Sequence, residues 1–310
     1  MNVLITGGAG YLGSILSEHL LDAGFGVTVV DNLYFGQSGP QHLAADSRFE
    51  FVYADARDER QIAPLLKKAD AIVPLAAVVG APACDRDPAY ATSLNLEAIR
   101  MLNRLRSRQQ RMVFPTTNSG YGTKSGDVFC TEETPLEPIS LYGRLKTQAE
   151  EEILGTPNSI TLRLATVFGV SPRMRIDLLV NTFVYEAVKR GYLVIFEKDF
   201  KRNYVHIRDV ADCFLYCIQS GEKMVGQAYN VGLDAANLSK EELAEKVKCY
   251  VPKLYIDFAQ IGSDPDKRNY IVSNEKLRKA GFEAKRTLDE GIVELIKGYQ
   301  MIARNPMGNV

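Results

Sequence analysis

Short apolar runs alternate along the chain with longer stretches in which apolar residues recur every three or four positions. Val3 to Thr6, Val27 to Val30, Phe49 to Tyr53, Ala71 to Pro74, Met112 to Pro115 and Ile160 to Leu164 read as buried strands. Between them, Gly13 to Ala23, Asp58 to Lys67, Asp87 to Ser107 and Leu141 to Leu154 carry apolar residues at helical spacing. This repetition predicts an α/β fold: a Rossmann-type doubly wound parallel sheet covered by helices on both faces. After Gly169 the rhythm breaks into a basic, Pro-containing loop (Ser171 to Arg175), a helix (Leu178 to Lys189) and a short strand, Tyr204 to His206, expected to return to the main sheet. Helical patterns follow near Lys240 to Tyr250, Asn274 to Ala280 and Leu288 to Ala303, with a polar linker from Gly262 to Asn269. The expected organisation is a sheet domain over residues 1–170, with a returning segment near 203–232, and a smaller interleaved domain over 171–310. No internal repeat or low-complexity tract interrupts it.

Composition narrows the function without naming it. The 310 residues carry 37 Lys+Arg against 38 Asp+Glu, with 46% hydrophobic and 24% charged residues, which excludes a disordered or fibrous chain. A net charge of -1 gives no electrostatic reason to expect nucleic acid or an anionic membrane as partner. The longest apolar run, Ala71 to Val79, contains Pro74 and falls short of the roughly 18 to 20 residues of a spanning helix. Val3 to Ile5 run straight into glycines rather than a secretory h-region, so a cytoplasmic location is expected. Cys84, Cys130, Cys213, Cys217 and Cys249 lack CxxC spacing and read as reduced, buried thiols. His19, His42 and His206 lie far apart, and no metal is expected.

Two motifs carry chemistry. The first strand ends in Thr6-Gly7-Gly8-Ala9-Gly10-Tyr11-Leu12-Gly13, a G-x-x-G-x-x-G run opening a helix. Such glycines let the backbone turn sharply and a pyrophosphate approach a helix N-terminus. The second strand ends at Asp31, close to the offset at which an acid accepts from the adenosine ribose of a dinucleotide. Its charge would repel the extra phosphate of NADP, and no Arg or Lys stands beside it in Asp31-Asn32-Leu33-Tyr34, so NAD is the predicted cofactor. Asp55 and Ala56, after the third strand, sit where an adenine edge would be held; Asp55 could equally cap the next helix.

The second motif is Tyr142-Gly143-Arg144-Leu145-Lys146, which places a phenol and an ammonium on one helix face. A free phenol has a pKa of about 10 and is a poor base near neutrality unless a nearby cation favours its phenolate. Lys146 can supply that cation, and Tyr142 can then take a hydroxyl proton as hydride leaves the same carbon. The fifth strand ends in Pro115 to Gly122, where Thr117 can hydrogen-bond the reacting hydroxyl; Asn118 and Ser119 beside it are candidate substrate contacts or plain turn residues.

These residues resemble an extended short-chain dehydrogenase/reductase, the NAD-dependent sugar-nucleotide epimerase/dehydratase family, from Met1 to about Ala303. The likeness rests on Thr6 to Gly13, Asp31-Asn32-Leu33, Leu75-Ala76-Ala77, the spacing of Thr117 and Tyr142, Lys146, and Arg202-Asn203-Tyr204-Val205-His206. It implies catalytic roles for Thr117, Tyr142 and Lys146. It also implies a cofactor site of Gly7, Gly10, Tyr11, Leu12, Asp31, Asn32, Asp55, Ala56, Leu75, Ala76 and Ala77, shared with Tyr142 and Lys146. The family's diphosphate-binding arginines fall on Arg202 and Arg268. Where dehydratases of the family follow the catalytic Thr with Asp-Glu, this chain has Asn118-Ser119, which disfavours dehydration. The strings Val79-Gly80-Ala81-Pro82, Thr117 to Gly122, Cys130 to Glu133 and Ser171 to Arg175 look most like the branch that oxidises C4 of GDP-linked manno-heptose. Val79 is a substrate candidate on that basis.

Arg173, Arg175, Arg202 and Arg268 gather in the less regular half, and their guanidiniums suit a diphosphate; Asn181, on the first helix there, is a further candidate contact with the nucleotide. The resemblance also implies a homodimer in which the helices of Asp87 to Ser107 and Leu141 to Leu154 pair with their copies in a four-helix interface, although the sheet could equally bury their apolar residues. The expected activity is NAD-dependent oxidation of the C4 hydroxyl of a nucleoside-diphosphate sugar, GDP-linked by the branch likeness. The alternatives are a 4-epimerase of the same chemistry and an idle NAD-sensing regulator.

Overall fold

A computed structural model describes residues 1–36, 39–124, 129–259 and 269–302. In chain order the strands are β1 Asn2–Thr6, β2 Gly26–Asp31, β3 Phe49–Tyr53, β4 Ala71–Pro74, β5 Arg111–Thr117, β6 Phe129–Cys130, β7 Ser159–Leu164, β8 Thr166–Phe168, β9 Tyr192–Ile195, β10 Lys201–His206, β11 Gln227–Val231, β12 Asn237–Ser239, β13 Tyr255–Phe258 and β14 Ile271–Val272. The helices are α1 Tyr11–Asp22, α2 Glu59–Leu66, α3 Ala81–Arg86, α4 Pro88–Thr92, α5 Ala98–Leu105, α6 Leu141–Leu154, α7 Leu179–Lys189, α8 Ile207–Ser220, α9 Lys240–Tyr250, α10 Glu275–Lys279 and α11 Leu288–Met301.

Seven parallel strands form the main sheet in the order β11-β7-β5-β4-β1-β2-β3. The order reverses between β1 and β4, and at such a switch point the carboxyl ends of the strands open a crevice. Alternation along the strands feeds two core layers. Val3, Ile5 and Val29 pack with Ile15, Leu16 and Leu20 of α1 and Phe214 of α8. On the opposite face Leu4, Val30 and Ile72 pack with Ile62, Leu102, Leu145 and Ile153.

The returning strand differs from expectation. Tyr204 to His206 belong to β10, which pairs with β8 and β12 in a separate three-stranded sheet. The strand that rejoins the main sheet is β11, four residues of which are buried. Patterning marked Tyr204 to His206 as a strand but did not single out β11, and it carries no information about which neighbour a strand finds. Cys249 is exposed, whereas the other four cysteines are buried as expected.

The helices of the expected dimer contact spend their apolar residues within this chain: Ile99, Met101 and Leu102 of α5 and Leu145, Ala149 and Ile153 of α6 lie in one core cluster. Arg100 on the outer side bonds Glu97 at 2.6 Å and Glu152 at 2.8 Å. Among the described residues no helix is long and apolar enough to cross a membrane.

Candidate active site

The glycine turn is shaped by close approach. Gly7 adopts φ +73°, and a Cβ there would lie 2.4 Å from the backbone N of Ala76. That contact exists because the N–H groups of Leu75 and Ala76 both donate to the Thr6 carbonyl at 2.8 Å, stitching the end of β4 to the turn. Gly13 meets the backbone of Gly8, where a Cβ would come within 2.5 Å. Gly10 caps α1 without a side chain, so the first N–H groups of the helix, at Tyr11 and Leu12, open on the crevice end of β1. These are the features a pyrophosphate requires, and they fit a dinucleotide. The Tyr11 phenol turns elsewhere: it donates to the Gly169 carbonyl at 2.7 Å, and burial pushes its pKa far above the usual value.

Asp31 ends β2 as expected and also braces the turn, its Oδ2 accepting from Ala9 N at 3.0 Å and its Oδ1 from Leu33 N at 2.8 Å. Burial raises its pKa despite these bonds. Asn32 accepts from Tyr34 N at 3.1 Å. Of the two roles open to Asp55, the helix cap belongs to Asp58, which accepts from Arg60 N at 3.0 Å. The Asp55 carboxylate is gripped by Arg57, at 2.9 Å from Nε and 2.6 Å from Nη2, which holds its pKa down. Ala56 beside it is buried.

On the far side of the crevice, Thr117 ends β5. Its Oγ1 accepts from Ser119 N at 3.1 Å and lies 2.8 Å from Ser119 Oγ. Ser140 caps α6 by accepting from Gly143 N at 3.1 Å, which sets Tyr142 in the first turn, half-buried against the core, and Lys146 one turn on. Lys146 is 3% exposed; its Nζ donates to the Pro115 carbonyl at 3.1 Å and lies 4.6 Å from the centre of the Phe114 ring. Burial lowers its pKa to about 8. An unfolded lysine titrates near 10.4, so between those values the unfolded chain binds more protons, and stability from this group rises with pH. Below pH 8 the cost of holding the buried charge is full. Lys146→Met should therefore raise the melting temperature by about 2–4 °C at neutral pH, with the advantage shrinking as pH rises past 8 and gone above about pH 10; calorimetry across that range checks it.

The remaining substrate candidates separate. Val79 is exposed at the end of the loop after β4. Asn118 is 1% exposed, and among the described residues neither its Oδ1 nor its Nδ2 has a partner. Arg175 pairs with Asp177. Asn181 is fully buried: its Oδ1 accepts from Gly169 N at 3.1 Å and its Nδ2 donates to Tyr11 Oη at 3.1 Å and to the Arg175 carbonyl at 2.8 Å, a complete set of bonds within the protein. Arg202, buried on β10, faces the Tyr270 ring at 5.7 Å. Arg268 lies outside the described residues. Arg173 leaves this group altogether, stacking 4.6 Å from the Phe35 ring beyond the end of β2, with its charge acting on Asp31. The stretch Asp31 to Tyr34 lacks a cation in sequence, but the fold brings one to it.

Two features escaped the sequence reading. Asn95, in a π-helical turn (Ser93–Glu97), holds both sides of Val78, its Oδ1 accepting from Val78 N and its Nδ2 donating to the Val78 carbonyl, each at 2.8 Å. It fixes the loop that follows Leu75-Ala76-Ala77; the only signal was one amide inside an apolar helical stretch, Leu94-Asn95-Leu96. Behind Thr117 lies a buried polar network. Arg163 of β7 donates through Nη2 to Glu150 Oε1 at 2.6 Å and through Nη1 to Tyr121 Oη at 3.0 Å; Thr116 donates to Glu150 Oε2 at 2.7 Å. Glu150 shares a helix face with Tyr142 and Lys146 at four-residue intervals, a pattern legible in sequence but silent about the partner.

The profile of the NAD dependent epimerase/dehydratase family matches residues 3–232. UDP-arabinose 4-epimerase 1 of Arabidopsis thaliana is 27% identical over 99% of this chain and 81% of its own. YtcB of Bacillus subtilis (strain 168), named an uncharacterized UDP-glucose epimerase, is 30% identical over 80% of this chain and 79% of its own. Among solved structures, UDP-glucose 4-epimerase of Thermus thermophilus in complex with NAD superposes with a TM-score of 0.82 at 24% identity, over 97% of this chain and 99% of that one.

Proposed function

Because the chain belongs to the NAD dependent epimerase/dehydratase family, we propose that this NAD-using enzyme interconverts nucleoside-diphosphate sugars epimeric at C4, with UDP the favoured nucleotide. The observation that carries the reading is the pair on α6, a phenol and a buried ammonium one turn apart, set beside Thr117 at the crevice end of β5. NAD, when bound, supplies the hydride acceptor at C4 and the donor that returns it. Tyr142 takes the C4 hydroxyl proton and later gives it back, Lys146 favours the phenolate, and Thr117 orients the hydroxyl. Asn118 has no acidic proton, which weighs against dehydration.

The UDP-sugar epimerases among the relatives favour epimerisation over the net oxidation of GDP-linked manno-heptose suggested by the local strings. Incubation with UDP-arabinose, UDP-glucose and GDP-manno-heptose, following bound NADH and the product sugar, separates the two. A C4 epimer without net NADH supports the proposal; stoichiometric NADH with a keto product supports the dehydrogenase. Turnover of none of them, with NAD bound, revives the regulator. We further propose a homodimer in which α5 and α6 pair with their copies across a two-fold axis.

An unpaired buried carboxamide costs about 1–3 kcal/mol, which a sugar hydroxyl would relieve. Asn118→Leu should raise KM for the sugar nucleotide about 3- to 10-fold, with the melting temperature unchanged or higher. A KM at the wild-type value would remove Asn118 from the substrate site.

A further inference from the structure

Three segments that border the adenosine end of the crevice are joined by one row of side chains. Arg57, after β3, lies with its guanidinium 4.6 Å from the centre of the Tyr90 ring on α4. Tyr90 stacks on Tyr34, after β2, with ring centres 5.7 Å apart and planes at 25°, and Tyr34 meets Phe35 edge-on at 5.1 Å. Each member of the row is fixed from its own side. Arg57 grips Asp55 and donates from Nη1 to Ser93 Oγ at 3.0 Å, and Ser93 Oγ in turn donates to the Tyr90 carbonyl at 2.9 Å. Tyr90 N donates to Asp87 Oδ1 at 2.9 Å, and its ring packs on the small cluster of Ala56, Leu94 and Ala98, which Ala76 and Val78 also join. Tyr34 follows a costly turn: Leu33 stands at φ +51°, a region that disfavours a bulky side chain, and its N–H is held by Asp31 Oδ1 at 2.8 Å. Tyr34 is 68% exposed, so burial does not account for its position.

We infer that Tyr34 and Tyr90 form a gate over the adenosine of bound NAD(H), which keeps the cofactor in place between the two hydride transfers. The inference rests on the epimerase reading above and on adenosine lying at Asp31 and Asp55; it adds what retains the cofactor there. Between removal and return of hydride the sugar is a ketone and the cofactor is NADH. Loss of NADH at that stage leaves no hydride to complete the round trip, and the turnover fails. Asp31 ends β2, and Asp55 follows β3, its neighbour in the sheet. The stack ties the loop after Asp31 to the segment that holds Arg57 and, through it, Asp55. Adenosine held at both acids lies within this ring of contacts, and its departure requires the two tyrosines to part. Because the stack consists of protein side chains alone, it can close over an occupied pocket or an empty one, so passage in either direction has to open it.

The test is stopped-flow fluorescence of the nicotinamide: release of NADH from the loaded protein chased with excess NAD, and association of NADH with the protein freed of cofactor. Tyr34→Ser should speed release about 2- to 10-fold, the range that an aromatic pair contributes. Tyr90→Ser should speed it about 5- to 50-fold, because the contact with Arg57 goes as well. Association should quicken in step, so that NADH affinity moves less than either rate. The double variant should release no faster than Tyr90→Ser, since one stack can be lost only once. Tyr34→Phe, which keeps the ring, should restore slow release. If Tyr90→Ser does not fold, the exposed Tyr34 still carries the comparison of Ser with Phe. Release at the wild-type rate in Tyr34→Ser, or faster release with unchanged association, overturns the inference. Asp31→Ser tests its premise separately: NADH affinity at the wild-type value in that variant would show that adenosine lies elsewhere. A keto product with net NADH would overturn the epimerase reading, with the gate still judged on these rates.

Discussion

Tyr142→Phe should lower turnover of the sugar nucleotide by about 10²- to 10⁴-fold, the range that a positioned proton-transfer group contributes, while NAD affinity stays within about threefold of wild type. The reason lies in the separation of duties. The dinucleotide's pyrophosphate and adenosine would be held by Gly7, the start of α1 and Asp31 rather than by the Tyr142 hydroxyl. Removing one oxygen leaves the ring's contacts with the core cluster of Leu145 and Cys84 intact, so stability is expected to hold as well. Single-turnover measurement of bound NADH after mixing with sugar nucleotide reads the chemical step directly. Full turnover in this variant would remove Tyr142 as the base and with it the proposed mechanism. The pH profile adds a second constraint: with Lys146 losing its proton at about 8, support for the phenolate fades as pH rises beyond that value.

Glu150→Ala should destabilise the protein by about 3–5 kcal/mol, because it strands the Arg163 guanidinium in the interior. Glu150 and Arg163 are 2% and 6% exposed, and the carboxylate also accepts from Thr116, next to Thr117. The pair thereby clamps α6, which carries Tyr142 and Lys146, to β5 and β7. Denaturant unfolding of Glu150→Ala, Arg163→Met and the combined Glu150→Leu/Arg163→Met protein tests this. The combination is expected to recover much of the loss of either single change, since removing both charges also removes their desolvation cost. Additive losses would show that the two side chains do not act as a unit.

The sequence by itself determined the elements and the order of chemistry along them. The apolar run ending in glycines at Gly7, the acid at Asp31, and Thr117, Tyr142 and Lys146 are tied to strand ends and helix starts, and those follow from local periodicity and capping. Every main-sheet strand except β11, and α6, accordingly lies close to where patterning put it. Tertiary structure decided what each polar side chain meets. Asn181 spends its amide on Tyr11 and Gly169, Asp55 goes to Arg57, β10 leaves the main sheet, and Arg173 crosses to Asp31. The physical reason is that these outcomes depend on contacts between segments far apart in the chain, where burial forces each donor and acceptor to find whatever partner the packing brings. Periodicity records which face of an element is buried, but not which distant residue will lie against it.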